Sequence, residues 1–162
     1  MAAGAVQSAR FDQLDARTAY LICRLRVDVF VVEQRCPYAE LDGRDLEPGT
    51  THLWLGEPAT GSWPASVTAY LRLLSEPDGS TRIGRVCVAA AHRGRGQAVS
   101  LMTEALRLLD GRSCRLDAQT YLTGWYARWG FVADGPEFLE DGIPHVSMCR
   151  AKGGQSSPAE TR

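Results

Sequence analysis

The chain has 162 residues, of which 44% are hydrophobic and 23% are charged, an ordinary composition for one globular domain. Eighteen Lys and Arg against nineteen Asp and Glu leave a formal net charge of -1, which argues against a nucleic-acid partner because such proteins usually carry a basic excess. No stretch predicts a membrane span, and the opening residues lack the basic start and apolar run of a signal peptide.

The sequence predicts one folded region between two tails. Residues 1–10 and 151–162 are small and polar, so both are predicted to be disordered, and the folded domain is predicted to span 11–150. The five cysteines are odd in number, widely spaced and without a C-x-x-C pair. This pattern is typical of reduced thiols in a cytoplasmic protein, and we expect no metal site.

The first half of the domain begins with an amphipathic helix. Asp15 is predicted to cap a helix that runs to about Val32, and Cys36-Pro37 breaks it. The apolar stripe of this helix consists of Leu21, Ile22, Leu25, Val29 and Val32. A loop with four carboxylates follows over 40–47.

Three strands and then a helical region are predicted next. Strands are expected over 51–55, 65–74 and 82–90, because apolar residues alternate or cluster there between turn residues. A glycine-rich loop at 93–96 leads into an amphipathic helix over 97–109.

The end of the domain is predicted to hold a strand at 114–119, a short helix at 121–129 and a last strand at 145–150. The order is helix, antiparallel strands, then strand, loop, helix and strand. This order predicts an α/β fold with a mixed, mostly antiparallel sheet flanked by helices and one βαβ crossover.

The loop between the third strand and the second long helix carries the chemistry. Backbone N–H groups at a helix start are unpaired and lie at the positive end of the helix dipole, so they bind phosphate oxygens. Gly94 and Gly96 let that backbone approach a ligand closely, while Arg93 and Arg95 add positive charge. These features suit a pyrophosphate, although a plain strand-to-helix turn also uses glycines.

Two other nucleotide motifs fit the loop less well. A P-loop requires Gly-Lys-Ser/Thr, but Gln97 follows Gly96. A dinucleotide fingerprint requires a third glycine where Val99 stands, and too few residues follow for a second mononucleotide half.

Two segments give the chain a specific resemblance. The run Arg93-Gly94-Arg95-Gly96-Gln97-Ala98 is similar to the Q/R-x-x-G-x-G/A signature of the GNAT acetyltransferases. The segment Trp125-Tyr126-Ala127-Arg128-Trp129-Gly130-Phe131 is similar to their F-Y-x-x-x-G-F segment, and Gln119 stands where the family often has an asparagine. The chain is identified as a member of this superfamily, which implies a single GNAT domain.

Further segments resemble the ElaA-like branch of that superfamily. They are the runs 25–38, 42–46, 51–52 and 140–145, and the resemblance covers about residues 11–150. The resemblance to this branch defines the expected fold but leaves the acceptor substrate open.

The resemblance implies acetyl-CoA as co-substrate and assigns residues to it. The main chain of Val86, Cys87 and Val88 would pair with the pantetheine arm, and a main-chain N–H near Val88 would polarise the thioester carbonyl. The residues implied for the pyrophosphate are Arg93, Gly94, Arg95, Gly96, Gln97 and Ala98. Gln119 completes the implied cofactor-binding set, and no metal is implied.

The catalytic residues are less sharply defined. Tyr126 is expected to be the general acid that protonates the departing thiolate. Many relatives carry a glutamate on the third strand as base, but there is no acidic residue between Arg82 and His92. Glu33 and His145 are the substitutes, His52 is a third, and a base acting through water remains equally open.

We therefore expect an N-acetyltransferase that transfers acetyl from acetyl-CoA to a primary amine by direct attack in a ternary complex. The acidic loop at 40–47 is expected to attract the cationic amine. Two alternatives stay open: a longer acyl donor, since Arg26 to Glu33 also resembles the acyl-homoserine-lactone synthases, and a non-catalytic acyl-CoA sensor. The acceptor is undefined, nucleic-acid and membrane partners are not expected, and monomer and homodimer both stay open.

Overall fold

The computed structural model describes residues 5–57 and 66–153, and in these ranges it holds seven strands and three α-helices. The strands are β1 (Gln7–Ala9), β2 (Thr51–Glu57), β3 (Ser66–Ser75), β4 (Thr81–Val88), β5 (Cys114–Gln119), β6 (Val132–Glu140) and β7 (Ile143–Arg150). The helices are α1 (Ala16–Arg26), α2 (Gln97–Leu109) and α3 (Thr123–Ala127). A π-helical segment, Val27–Glu33, continues α1 directly.

The strands form one mixed sheet in the order β1-β2-β3-β4-β5-β7-β6. The pairs β1 with β2, β2 with β3, β5 with β7 and β6 with β7 are antiparallel, whereas β4 pairs with β5 in parallel. The helix α2 connects the two parallel strands. The predicted α/β domain, with a mostly antiparallel sheet and one βαβ crossover, is confirmed.

The contacts within the chain define two compact units. The first unit comprises the described parts of Met1–Leu74 and Gly84–Leu108, and the second comprises those of Ser75–Ile83 and Leu109–Arg162. The core of the first unit combines α1 and its continuation with three strands, through Ile22, Leu25, Val29, Trp54, Tyr70 and Cys87. The predicted stripe of the first helix is therefore correct at Ile22, Leu25 and Val29, but Val32 is exposed.

The first helix begins as predicted and then changes pitch. The Asp15 side chain accepts hydrogen bonds from the N–H groups of Arg17 and Thr18, both at 3.0 Å, which satisfies two unpaired donors of the first turn. After Arg26 the helix widens, and the N–H of Gln34 bonds the carbonyl of Val29, five residues back, at 3.3 Å. Such π-helical turns occur often at functional sites.

The tail predictions need one correction. Residues 7–9, placed in the disordered N-terminus, form β1 and pair with β2 from Gln7 opposite Trp54 to Ala9 opposite His52. An edge strand is held by main-chain hydrogen bonds, so it needs no apolar alternation. The predicted C-terminal tail starts at residue 151, and from 154 onward it lies outside the described residues.

The second unit contains a strand that the sequence did not predict. All nine residues of β6 are exposed, and its pairing with β7 shifts register between Ala133 and Glu137, around Gly135-Pro136. Without a buried face the strand has no alternation to detect. The helix predicted over 121–129 is shorter, because a 3-10 turn, Thr120–Leu122, precedes α3 and Gly130 follows with a φ of 83°.

Candidate active site

The glycine loop lies as predicted between β4 and α2. Gly94 and Gly96 have φ values of 73° and 75°, a conformation that side chains rarely adopt. A Cβ at either position would meet no atom within 4 Å, so the backbone faces open space. The loop therefore presents bare main chain at the surface, as a bound phosphate requires.

The start of α2 offers unpaired donors beside that loop. The first helical bond runs from the N–H of Ser100 to the carbonyl of Gly96, at 3.0 Å. The preceding N–H groups, those of Gln97, Ala98 and Val99, have no partner recorded in the part of the chain that the structure describes. Gln97 Oε1 is buried and likewise unpartnered, so an N–H or O–H of a ligand would satisfy it.

Arg93 connects the loop to two other predicted site residues. Its Nε donates to the Val88 carbonyl at 3.1 Å, and one terminal nitrogen donates to Glu33 Oε2 at 2.8 Å. The hydrogen bond from Arg93 lowers the pKa of Glu33, so that carboxylate is charged at neutral pH and is a weak proton acceptor. The structure thus brings Glu33, Val88 and Arg93 together, while Arg95 is exposed.

Val86, Cys87 and Val88 form the last residues of β4. The Cys87 side chain is buried in the core of the first unit, whereas both valines are half-buried. The parallel pairing of β4 with β5 is made by Thr81 opposite Cys114 and Arg82 opposite Arg115, at the amino ends of both strands. Burial raises the pKa of the Cys87 thiol to about 12, so it is not a thiolate nucleophile.

The acidic loop does not offer free carboxylates to a cationic amine, so that expectation is wrong. Three of its carboxylates are paired with three arginines from α1, β3 and β4, and each carboxylate joins a different pair of them. Glu40 joins Arg26 to Arg85, Asp42 joins Arg72 to Arg85, and Asp45 joins Arg26 to Arg72. We call these residues the six-residue ring.

The ring is largely buried and its charges cancel. Arg26 and Arg72 are 1% and 2% exposed, and Glu40 is 3% exposed. Burial alone would raise the pKa of Asp42, but the hydrogen bond and charge of Arg72 outweigh it and lower the pKa to about 2. Removing one member of such a network leaves a buried charge without its partner, which is strongly destabilising.

His52 is part of the same region and has no free nitrogen. Its Nε2 lies 3.1 Å from the Asp45 carbonyl, which can only accept, so Nε2 carries the proton. Its Nδ1 then accepts from the Tyr70 hydroxyl at 2.7 Å. His52 is 1% exposed, and burial lowers the pKa of its imidazole. These contacts favour a structural role for His52 over that of a base.

Tyr126 lies in the second unit, on α3. Its ring contacts those of Trp125 and Phe131 edge-on, at centroid distances of 4.9 and 6.2 Å. The residue is 6% exposed, and among the described residues no hydrogen bond is recorded for its hydroxyl. Burial raises its pKa, so the hydroxyl stays protonated and can donate.

His145 lies on β7 opposite Gln119 of β5, so the structure brings these two predicted residues together. Its Nδ1 lies 2.8 Å from the Ile143 carbonyl and must carry the proton, which leaves the lone pair on Nε2. Glu140 Oε2 lies 3.8 Å from Nε2, and the Phe138 ring stacks on the imidazole. This tautomer can accept a proton, and Glu140 would stabilise the resulting cation.

The three arginines of the six-residue ring were not predicted from the sequence to pair with the acidic loop. Arg26 and Arg72 stand inside apolar runs, between Leu25 and Val27 and between Leu71 and Leu73. A charged residue at a core position needs a buried partner, and the nearby acidic loop supplies one. That combination was the signal in the sequence.

Comparisons with known proteins identify the family of this chain. Residues 65–151 match the family described as Acetyltransferase (GNAT) domain. A UPF0039 protein of Mycobacterium tuberculosis is 52% identical over 145 residues, 88% of this chain and 90% of the relative. ElaA of Escherichia coli is 34% identical over 152 residues, 89% of this chain and 94% of ElaA.

Solved structures resemble the fold over most of its length. An acyl-CoA N-acyltransferase from Pseudomonas aeruginosa superposes with a TM-score of 0.82 at 39% identity, covering 90% of this chain and 98% of that one. The crystal structure of Escherichia coli ElaA gives 0.79 at 32% identity, covering 90% and 97%. The fold is that of the acyl-CoA N-acyltransferases. The chain belongs to the GNAT acetyltransferase superfamily, in its ElaA-like branch.

None of the helices in residues 5–57 and 66–153 is long and apolar enough to cross a membrane. No group of three or more His, Cys, Asp or Glu side chains in the same residues is placed to hold a metal ion.

Proposed function

We propose that this protein is an N-acetyltransferase that transfers acetyl from acetyl-CoA to a primary amine by direct attack in a ternary complex. The observation that carries the proposal is the glycine loop, where Gly94 and Gly96 turn bare main chain toward open space at the start of α2. The start of this 13-residue helix has three main-chain N–H groups without a hydrogen-bond partner in residues 5–57 and 66–153, and such a helix start suits a pyrophosphate.

The residues implied by the family resemblance fit that ligand. Arg93, Gly94, Arg95, Gly96, Gln97 and Ala98 would hold the pyrophosphate. Gln97 Oε1 has no hydrogen-bond partner among the described residues, and it would accept from an N–H or O–H elsewhere on the coenzyme, because the ionised pyrophosphate has no proton to donate. The main chain of Val86 to Val88 would bind the pantetheine arm, and Gln119 would contribute at the end of β5.

Proton transfer falls to two residues of the second unit. Tyr126 would donate its hydroxyl proton to the departing thiolate, supported by its place in the family segment and by a hydroxyl that has no hydrogen-bond partner among the described residues. Burial raises its pKa, which keeps the hydroxyl protonated but also makes it a weaker acid. His145 would remove the proton from the amine, because Nε2 holds a lone pair and Glu140 faces it. The His145 role is expected to contribute about 10²-fold and the Tyr126 role about 10- to 100-fold.

Glu33 is disfavoured as the general base. Its carboxylate is paired with Arg93, which lowers its pKa and disfavours the protonated form that a base must reach. We propose that Glu33 instead forms an ion pair with Arg93 that competes with the pyrophosphate for the guanidinium. All five cysteines lie in the described residues and none is joined in a disulfide, which supports a cytoplasmic setting that keeps thiols reduced.

The test is a screen of amines with acetyl-CoA that reads the release of the CoA thiol. The donors acetyl-, succinyl- and octanoyl-CoA are compared with each responding amine, and Gly96→Asp serves as the binding-deficient control. The proposal predicts release above the control with at least one primary amine and with acetyl-CoA as the preferred donor. Tight acetyl-CoA binding without release for any amine would support a sensor instead.

A further inference from the structure

Arg85 has an unusual backbone for its place in the sheet. It lies inside β4 and has a φ of 55°, although its neighbour Gly84 is the residue that tolerates such a value without cost. In the left-handed region, the Cβ of any residue other than glycine is crowded by the main chain. A residue of this kind persists only when the surrounding contacts hold it there.

The side chain of Arg85 is held at three points. Its Nε forms an ion pair with Glu40 Oε2 at 2.8 Å, and a terminal nitrogen lies 3.5 Å from Asp42 Oδ2. Its guanidinium carbon lies 5.6 Å from the centre of the Tyr38 ring, within the range of a cation–π contact. The Tyr38 hydroxyl in turn donates to Glu40 Oε2 at 2.5 Å.

Glu40 is buried and is also held by Arg26. Its side chain is 2% exposed, and its other oxygen lies 2.6 Å from Arg26 Nε on α1. Arg26 also donates to the Glu40 main-chain carbonyl at 3.1 Å. Glu40 therefore ties the position of Arg85 on β4 to the first helix.

The residues that follow Arg85 are those proposed to bind the acyl arm through their main chain. We infer that Glu40, acting through Arg85, is a positioning residue that holds the left-handed kink of β4 and so aims the main-chain groups of Val86 to Val88 at the thioester. This inference rests on the proposed function, because it assigns a purpose to the kink within that site.

Two carboxylates of the six-residue ring, Glu40 and Asp45, provide a variant and its matched control. Glu40 and Asp45 both pair with Arg26, at 2.6 and 2.7 Å, and both are buried. Only Glu40 also contacts Arg85, whereas the second partner of Asp45 is Arg72. Glu40→Gln and Asp45→Asn therefore remove one buried charge each and weaken the contacts of the same arginine, Arg26. Only Glu40→Gln also removes a charged partner of Arg85.

The experiment compares these two variants with the wild type by amide hydrogen exchange at residues 86–88, by acetyl-CoA affinity and by melting temperature. We expect Glu40→Gln to speed exchange at these amides and to weaken acetyl-CoA binding about tenfold, a size typical of lost positioning. Asp45→Asn should lower the melting temperature at least as much while exchange and affinity stay within about twofold of wild type.

A third variant covers the case in which Glu40→Gln does not fold. Arg85→Gly permits the same φ without strain but removes the side chain that Glu40 holds. It should fold, exchange faster at 86–88 and bind acetyl-CoA more weakly. Wild-type exchange and affinity in Arg85→Gly, or equal losses in Glu40→Gln and Asp45→Asn, would overturn the inference.

The two readouts separate this inference from the proposed function. If wild-type protein binds no acetyl-CoA, the proposed function fails, and the exchange comparison still decides whether Glu40 and Arg85 hold the backbone of residues 86–88. If wild-type protein binds acetyl-CoA and exchange at those amides is the same in all variants, the inference alone fails.

Discussion

Arg93 donates a hydrogen bond to Glu33 at 2.8 Å, joining the first residue of the glycine-loop motif to the last residue of the π-helical segment. Both side chains are nearly half exposed. The pairing has two consequences, because a carboxylate beside Arg93 competes with phosphate oxygens for the guanidinium, and the guanidinium lowers the pKa of Glu33.

Glu33→Gln tests both consequences. The variant removes the competing charge, so we expect acetyl-CoA to bind about twofold to fivefold more tightly, as the loss of an exposed ion pair allows. The kcat should stay within about threefold of wild type, and the pH profile of kcat/KM should keep its shape, since Glu33 is not the base. Calorimetry and steady-state rates across pH measure these values, and a loss of about 10² in kcat would instead identify Glu33 as the base.

Arg93→Ala tests the assignment of Arg93 to the pyrophosphate. The guanidinium should contribute equally to acetyl-CoA and to 3′-dephospho-CoA, because both carry the pyrophosphate. We expect both affinities to fall by about tenfold, the size of one charge-assisted contact. Calorimetry with the two ligands measures this, and a loss confined to the 3′-phosphorylated ligand would assign Arg93 to the ribose phosphate.

Gly96→Asp should abolish acetyl-CoA binding while the domain still folds. Asp at a φ of 75° is strained by about 1 kcal/mol, and its carboxylate would stand among the N–H groups meant for phosphate. Gly79→Asp is the matched control, because Gly79 has a φ of 81° in the turn before β4, and a Cβ there also meets nothing within 4 Å. Similar melting temperatures with binding lost only in Gly96→Asp are expected. Equal binding by both variants would refute the loop assignment.

The fold followed from the sequence wherever a buried face leaves a pattern. The strand from Cys114 to Gln119 and the helix from Gln97 to Leu109 were predicted with correct ends, since both bury one side. The fully exposed β6 and the short β1 left no such pattern, because main-chain pairing at a sheet edge is insensitive to side-chain type.

The site was predictable only where chemistry depends on local spacing. The glycine loop is one continuous segment, so its residues could be read together. The six-residue ring depends on pairings up to 45 residues apart, as between Arg85 and Glu40. Without tertiary contacts, its carboxylates resembled a free acidic surface, and only the arginines within apolar runs indicated otherwise.

Asp42 should make stability depend on pH in the acid range. Its folded pKa of about 2 is below the ordinary value of 3.8, so its contribution is present above pH 3.8 and disappears as pH falls through 2. The shift in pKa corresponds to a contribution of about 2 kcal/mol to the free energy of unfolding. Unfolding free energies between pH 2 and 6 should therefore fall more steeply with acid in wild type than in Asp42→Asn. Identical slopes would show that Asp42 is not linked to folding.

His145→Gln tests the base. If Nε2 accepts the amine proton, the variant should lose about 10² in kcat/KM with a responding amine, while acetyl-CoA affinity stays within about twofold. The loss should shrink at high pH, where more of the amine is already unprotonated. Glu140→Gln is the companion variant, expected to lose less because it only stabilises the imidazolium. An unchanged kcat/KM in His145→Gln would leave water as the route for the proton.

Tyr126→Phe tests the general acid. The Tyr126 hydroxyl has no hydrogen-bond partner recorded among the described residues, and the ring keeps its contacts with Trp125 and Phe131 in the variant, so stability should change little. Protonation of the leaving thiolate occurs mainly in the transition state. We therefore expect kcat and kcat/KM to fall together, by about 10- to 100-fold, with little change in acetyl-CoA affinity.

The leaving group gives this prediction a second, independent readout. A donor whose thiol is more acidic needs less protonation, so the difference between wild type and Tyr126→Phe should narrow with such a donor. Tyr121→Phe is the control, because Tyr121 is 76% exposed and is assigned no role in catalysis. Steady-state kinetics of the three proteins with both donors measures the effect. If chemistry limits the rate and kcat is unchanged in Tyr126→Phe, the tyrosine serves packing alone and the thiolate takes its proton from water.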